Sequence, residues 1–398
     1  ELYFNRKVGY AILEKEYSKG RSIKESYYGA DGNLCAGPKG YASIEMGYSG
    51  GARPTKEAYF DAQGNPYKMP GGYYSLTRKY GKGSRIEEEA YFGADGSPCF
   101  CNDGYHMIRT TYRSDGLISQ RMYLNNEAKL MIHPALGYAK VVNSYEGKRI
   151  SQTVYQDESK NPIDCAEGYA KITYKYDGYK LLVGKSYFHA DGSPAVGPEG
   201  YASVTYTNDP KTKAVLSETY YGLDGEPIGD ANGVYEKAIT WNGKVKESET
   251  YFLNGEPAVN ANGVHRVVYE YNGDNKVTKV TYYGTDGKPV LSAEGYAEKR
   301  TEYLANGKVA TNKYYDENGN LILEPGKNYA YQMTEYAEDG ESYTVGYFDT
   351  DNNPIILSGY AAQLCRVDEA GNVIETAYLD EYGERIANGN GYGSIENS

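Results

Sequence analysis

Gly168-Tyr169-Ala170-Lys171-Ile172-Thr173-Tyr174-Lys175-Tyr176 decides the fold. In an extended chain Ala170, Ile172, Tyr174 and Tyr176 share one face, and Lys171, Thr173 and Lys175 take the other. This period-two pattern marks a half-buried strand. Asp177-Gly178 follows as a turn, and a second strand runs from Leu181 to Phe188. Only a few turn residues separate the two, so they read as a β-hairpin.

The opening Gly-Tyr-Ala, or a close variant, recurs along the whole chain. It places Tyr10, Tyr41, Tyr73, Tyr105, Tyr138, Tyr169, Tyr201, Val234, Val264, Tyr296, Tyr329 and Tyr360 at spacings of 30 to 33 residues. A fixed period of that size means a modular array. One hairpin cannot bury its own apolar face, whereas a row of hairpins can. The expected fold is all-β: an elongated β-solenoid or continuous antiparallel array of about twelve repeats near 32 residues each. With no linker or composition shift, 1–398 reads as a single tandem-repeat domain. The opening at Glu1-Leu2-Tyr3-Phe4 and the stop soon after Gly391-Tyr392 read as a portion of a longer array.

Composition agrees. The chain holds 47 Tyr, 48 Gly, 7 Phe and 1 Trp. Tyrosine suits a half-buried pleated strand, and glycine supplies the positive-φ positions of tight turns. The net charge of −12 disfavours a nucleic-acid or anionic-membrane partner, and no apolar run reaches the length of a membrane span.

Each second strand ends on an aromatic pair. The pairs are Tyr27-Tyr28, Tyr59-Phe60, Tyr91-Phe92, Tyr187-Phe188, Tyr220-Tyr221, Tyr251-Phe252, Tyr282-Tyr283, Tyr314-Tyr315 and Tyr347-Phe348, with degenerate copies at Tyr123, Tyr155 and Tyr378. Consecutive strand residues face opposite sides, so both rings of a pair cannot enter one core. One ring of each pair is therefore expected to be exposed or to sit under a neighbouring loop; exposed, such rings would form a ladder for sugar stacking or self-association. A second aromatic line, Tyr17, Tyr48, Tyr80, Tyr112, Tyr145, Tyr176, Trp241, Tyr271, Tyr303 and Tyr336, sits seven residues after the Gly-Tyr position. It is expected to stack from unit to unit.

After the pair comes a loop that usually reads Asp-Gly-x-Pro, as in Asp95-Gly96-Ser97-Pro98 and Asp191-Gly192-Ser193-Pro194. Asp-Gly favours a tight turn, and the proline cannot donate to a central ladder. The string Tyr187-Phe188-His189-Ala190-Asp191-Gly192 followed by Gly200-Tyr201 resembles the choline-binding and glucan-binding cell-wall repeats. The resemblance implies stacked hairpins whose aromatics make shallow sites for choline or sugar rings, on a bacterial extracellular protein. Here the unit is longer, Gly-Trp is replaced by Gly-Tyr or Gly-Val, and the third aromatic is missing. The same Tyr, Asp-Gly and hairpin elements also resemble the tyrosine-aspartate repeats of large secreted bacterial shells.

Catalytic and metal chemistry finds little support. Asp316-Glu317-Asn318-Gly319-Asn320 and Asp349-Thr350-Asp351-Asn352-Asn353 lack the downstream glutamate of a calcium loop and read as turns. The histidines His106, His133, His189 and His265 have no Ser, Cys or His partner at motif spacing. Cys35, Cys99, Cys101, Cys165 and Cys365 lack zinc spacing and an even count, and read as small apolar residues. The expectation is a non-enzymatic extracellular or cell-surface module, without cofactor or metal. It would bind a glycan or cell-wall polymer through the aromatic pairs. The other reading is a structural stalk, fibre or sheath that self-assembles through its repeat edges.

Overall fold

The computed structural model describes residues 9–230, 233–337, 340–368 and 370–396. Among these the regular elements are β-strands, apart from one 3-10 turn at Lys82–Ser84. The chain divides into two compact units, Glu1–Ser203 and Val204–Ser398.

The first unit is a run of six hairpins, from Ile12–Ser18 with Arg21–Tyr28 to Lys171–Tyr176 with Leu182–Phe188. Every pairing is antiparallel, and each second strand pairs with the first strand of the next hairpin. The second unit opens within the strand Ser203–Asn208. It continues through Val215–Tyr221 and five further hairpins, from Glu236–Asn242 with Val245–Leu253 to Ala362–Val367 with Val373–Leu379. Each unit is thus a continuous antiparallel array of hairpins, as the alternation predicts.

The hairpin quoted above shows how register follows from sequence. Ile172 pairs with Tyr187 and Tyr174 with Lys185, while Lys171 pairs with Phe188. Directly paired residues share a face, so the two rings of the Tyr187-Phe188 pair part company. Ala170, Ile172 and Tyr187 are buried on one face. Burial of an Ile or a Tyr body of this kind contributes about 1.5–3 kcal/mol.

One feature has no sequence signal. In most hairpins the ladder slips just before the seventh-position aromatic: between Lys79 and Tyr80, Thr111 and Tyr112, Lys175 and Tyr176, Thr240 and Trp241, and Glu302 and Tyr303. Such a bulge adds local twist and re-aims a side chain.

Beyond the aromatic pair the chain folds back on itself. The proline that closes the loop forms an isolated backbone bridge to the second residue of the pair, as in Phe92–Pro98 and Phe188–Pro194 after Asp-Gly-Ser, and Phe60–Pro66 after Gln-Gly-Asn. The following residue then donates to the carbonyl of the lead tyrosine, as Ala195 does to Tyr187 at 3.0 Å. The aspartate closes its own turn: Asp191 Oδ1 accepts the Ser193 amide at 2.9 Å and its hydroxyl at 2.6 Å. Gly192 beside it takes φ +89°, which only glycine adopts without strain.

Candidate functional site

In two hairpins a glycine ten residues after the lead ring shapes the return path, and the ring fills the space it leaves: a Cβ on Gly197 would lie 2.3 Å from the Tyr187 ring, and one on Gly37 would lie 2.6 Å from Tyr27. In every hairpin of the first unit the lead ring packs against the Gly-Tyr rings on either side. In the first unit this gives one uninterrupted chain of phenols, alternating pair tyrosine and Gly-Tyr tyrosine from Tyr10 to Tyr201. Tyr41–Tyr59, Tyr73–Tyr91 and Tyr169–Tyr187 lie 5.1, 4.7 and 4.8 Å apart within hairpins. Tyr59–Tyr73, Tyr91–Tyr105 and Tyr187–Tyr201 bridge to the next hairpin at 6.2, 6.0 and 6.2 Å. These are tilted and edge contacts, the favoured aromatic geometries.

The second unit carries shorter runs: Tyr282–Tyr296–Tyr314 and Tyr329–Tyr347–Tyr360–Tyr378. Val234 and Val264 replace the Gly-Tyr ring there, and Tyr251 packs with Val264 and Val267 instead.

The hydroxyls of this spine are met by glutamates two residues earlier on the same strand face. Tyr59 donates to Glu57 at 2.6 Å and Tyr91 to Glu89 at 2.6 Å, and Tyr220 donates to Glu218. Arg78 spans two of these acids, with Nη1 2.7 Å from Glu57 and Nε 2.6 Å from Glu89. Tyr187 uses Glu199 instead, at 2.6 Å. Burial, with the neighbouring carboxylates, pushes the Tyr59, Tyr91 and Tyr187 phenols well up from the ordinary value. Tyr105, Tyr155 and Tyr347, where burial leads, are pushed up to about 12. Burial acts to raise Glu249, but hydrogen bonding and charge from Lys246 outweigh it and hold the carboxyl below its usual range. The motif Glu-x-Tyr-aromatic, as in Glu57-Ala58-Tyr59-Phe60 and Glu89-Ala90-Tyr91-Phe92, carried this signal in the sequence.

The residues expected as a ligand ladder therefore separate into two rows. Lead rings Tyr59, Tyr91, Tyr187, Tyr220 and Tyr251 are buried, and Tyr27, Tyr282, Tyr314 and Tyr347 are half-buried. The second rings Tyr28, Phe60, Phe92, Phe188, Tyr221, Phe252, Tyr283, Tyr315 and Phe348 lie on the opposite face and are half-buried as well. They are less open than alternation alone implied, because the return segment bridges to each and neighbours cover them. His106 stands edge-on to Phe92 at 5.4 Å, Lys171 sits 4.3 Å from the Phe188 centroid, Arg300 lies 4.2 Å from Tyr315, and Tyr331 stacks on Phe348 at 4.8 Å.

Two hollows open on this second face. A groove of about 610 Å³ in the first unit is lined by Phe60, Ala58, Lys24, Lys56, Glu16 and Glu45. A cavity of about 200 Å³ in the second is lined by Phe348, Met333, Gly346, Ala362 and Leu379, with Glu335 and Glu381 beside them.

No family model and no curated protein matches this sequence. Solved structures are similar at low identity. A crystal structure of TcdB2-TccC3-TEV is 11% identical over 88% of this chain and 17% of that chain, with a TM-score of 0.32. A crystal structure of TcdB2-TccC3 is 10% identical over 96% of this chain and 20% of that one, at 0.29. A structure of the Photorhabdus luminescens Tc holotoxin pore is 11% identical over 94% and 19%, at 0.28. The chain spans about a fifth of the length of these solved chains.

The seventh-position aromatics join hairpins by another route than the stacking expected of them. Most send their polar atom to a carbonyl at or just before the start of the preceding hairpin's second strand, whereas Tyr336 accepts from Lys308 and packs on Tyr343. Tyr48 donates to Ser22 at 2.7 Å, Tyr112 to Ile86 at 3.0 Å, Tyr145 to Ile118 at 2.7 Å and Tyr176 to Ile150 at 2.9 Å. Trp241 does the same through Nε1, to Val215 at 2.8 Å. A bulge precedes Tyr112, Tyr176 and Trp241, whereas the ladder before Tyr48 runs without a slip. A basic residue from the preceding hairpin tip covers the ring: Arg21 over Tyr48, Arg85 over Tyr112, Arg113 over Tyr145, Arg149 over Tyr176 and Lys276 over Tyr303.

The remaining candidates take packing roles. His106 and His265 occupy the same place, directly after the Gly-Tyr aromatic or its valine. Their Nδ1 atoms meet the carbonyls of Cys99 at 3.2 Å and Ala258 at 2.9 Å. His133 packs between Tyr105 and Tyr123, and His189 pairs with Asp164 at 2.7 Å. The five cysteines are free thiols, three of them buried. Asp316 and Asp349 cap their own turns. No group of three metal-ligating side chains occurs among the described residues.

Proposed function

We propose that this chain is a non-catalytic structural repeat module, the wall or stalk of an extracellular or cell-surface assembly. The lead rings of the first unit support this reading. Tyr59 and Tyr91 are packed between Gly-Tyr rings of their own and the next hairpin, so the most regular chemistry of the sequence serves cohesion. Repeat arrays gain stability from such nearest-neighbour interfaces.

A second reading is favoured by the groove beside Phe60 and the half-open rings Phe92 and Phe188. Rings repeated at a fixed pitch suit a glycan or cell-wall polymer, because weak sites in a row gain avidity. Affinity electrophoresis in soluble glucans and cell-wall polymers, beside thermal melts, separates the two. The scaffold reading expects no retardation by any polymer, and a marked fall in melting temperature on replacing Tyr59, Tyr91 and Tyr187 by alanine. Retardation that disappears when Phe60, Phe92 and Phe188 become alanine, with melting unchanged, would replace it with the polymer-binding reading.

A further inference from the structure

The two long edges of the first unit carry opposite charge. Because successive strands pair in sequence, every hairpin tip falls on one edge and every turn that follows an aromatic pair, or its degenerate copy, on the other. The tips hold Arg21, Arg53, Arg85, Arg113, Arg149 and Lys180, with Lys19, Lys82 and Lys148 beside them, against the three acids Asp115, Glu146 and Asp177. The opposite edge holds Asp31, Asp61, Asp95, Asp157 and Asp191.

The tip cations are held in place yet keep their charge. Arg21 lies 5.4 Å from the Tyr48 centroid and donates to the Gly50 carbonyl at 2.9 Å. Arg53 reaches the Ser84 carbonyl at 3.4 Å. A guanidinium has five donors, so these contacts leave others outward. Among the described residues only Arg113 of this row has an ion-pair partner, Asp115 at 3.0 Å. Arg53, Arg149 and Lys180 are exposed. Asp31, Asp95 and Asp191 are exposed and Asp61 and Asp157 half-exposed. Hydrogen bonds within their turns hold Asp31, Asp95 and Asp191 below the ordinary carboxylate range; at Asp61 burial acts to raise the carboxyl, but the Asn65 and Gln63 hydrogen bonds together outweigh it.

We infer that two copies of this chain dock side by side, the basic hairpin tips of one against the acidic turns of the other. The occupant follows from pitch as well as charge. Both edges repeat once per hairpin, which is two strand spacings or about 9.5 Å. A second copy therefore presents acids at the same interval as the tip cations, at every hairpin but the one whose turn opens on Asn125. An unrelated polyanion has no such match and meets a chain of net charge −12. Each exposed pair is weak, worth less than about tenfold in affinity, so the contact depends on several pairs together and on low salt.

The inference rests on the scaffold reading and adds its partner. Sedimentation velocity of the intact chain at about 20 mM and about 500 mM salt tests it, since screening lengths differ severalfold across that range. Concentration-dependent association is expected at low salt and should vanish at high salt. Asp31→Asn, Asp61→Asn, Asp95→Asn and Asp191→Asn combined should weaken association at least tenfold while thermal melts stay unchanged. Asparagine suits the turn, because Asn125 Oδ1 already accepts the Glu127 and Lys129 amides at 3.0 Å. A monomer at every concentration in low salt overturns the inference, as does association that the four-Asn variant leaves intact. Binding of inorganic polyphosphate to a chain that never self-associates overturns it and assigns the tips to a polyanion. None of these outcomes touches the scaffold reading, which is decided by polymer retardation and by the melts of the Tyr59, Tyr91 and Tyr187 variants.

Discussion

Tyr187 is the residue on which the unit turns. It is 1% exposed, its ring rests on Gly197, and its hydroxyl donates to Glu199. Tyr187→Ala should therefore cost about 3–5 kcal/mol, the range for a large buried aromatic. Tyr187→Phe keeps the ring and loses one bond to a charged acceptor, so about 1.5–3 kcal/mol is expected. Gly197→Ala should cost about 1–3 kcal/mol by overpacking, whereas Gly192→Ala meets open space and costs about 1 kcal/mol from its positive φ. Urea unfolding midpoints of the four variants check the order, and an innocuous Gly197→Ala would refute the close approach. The sequence told that the two rings of a pair must part, since alternation alone decides that. It did not tell which ring is buried deepest, because that depends on a return path visible only in three dimensions, along which Gly197 meets Tyr187 while Met69 and Cys101 take the same position after Tyr59 and Tyr91.

Among the elements, hairpins and Asp-Gly turns were legible because alternation and turn chemistry are local. The bulge was not, since it is a backbone slip with no residue signature of its own. Tyr112 and most of its counterparts bond to a neighbouring hairpin's carbonyl instead of stacking on one another. Tyr112→Phe should cost about 0.5–1.5 kcal/mol, with the Arg85 contact to the ring retained. Arg85→Ala should cost about 0.5–1 kcal/mol at this partly open site. A double-mutant cycle on Tyr112 and Arg85 measures the coupling, and strictly additive losses would mean that the cation contributes nothing to the seam.

For the molecule as a whole, the repeat announced the architecture but not the task. Charge edges, ring rows and turn acids are common surface chemistry, and no single position stands out from its counterparts in the other repeats. The phenols do set a collective property. Their pKa values are raised in the fold, so the folded state holds protons that the unfolded chain releases near pH 10. Stability from this source is complete below about pH 10 and is lost as pH rises through the folded values near 12. Absorbance at the phenolate band should lag behind free tyrosine and then rise together with loss of β-structure in the far ultraviolet. Titration of most tyrosines at their ordinary value, with the strand signal intact, would contradict the buried spine.

That spine also has an optical consequence. Thirteen phenols from Tyr10 to Tyr201 stand in line with centroids 4.7–6.2 Å apart and fixed mutual tilts of 33–63°. Transition dipoles this close and this regularly skewed couple into a chiral exciton. The near-ultraviolet circular dichroism of the first unit should therefore exceed the sum of isolated tyrosines, and removing one ring from the middle of the line should lower it by more than one ring's share.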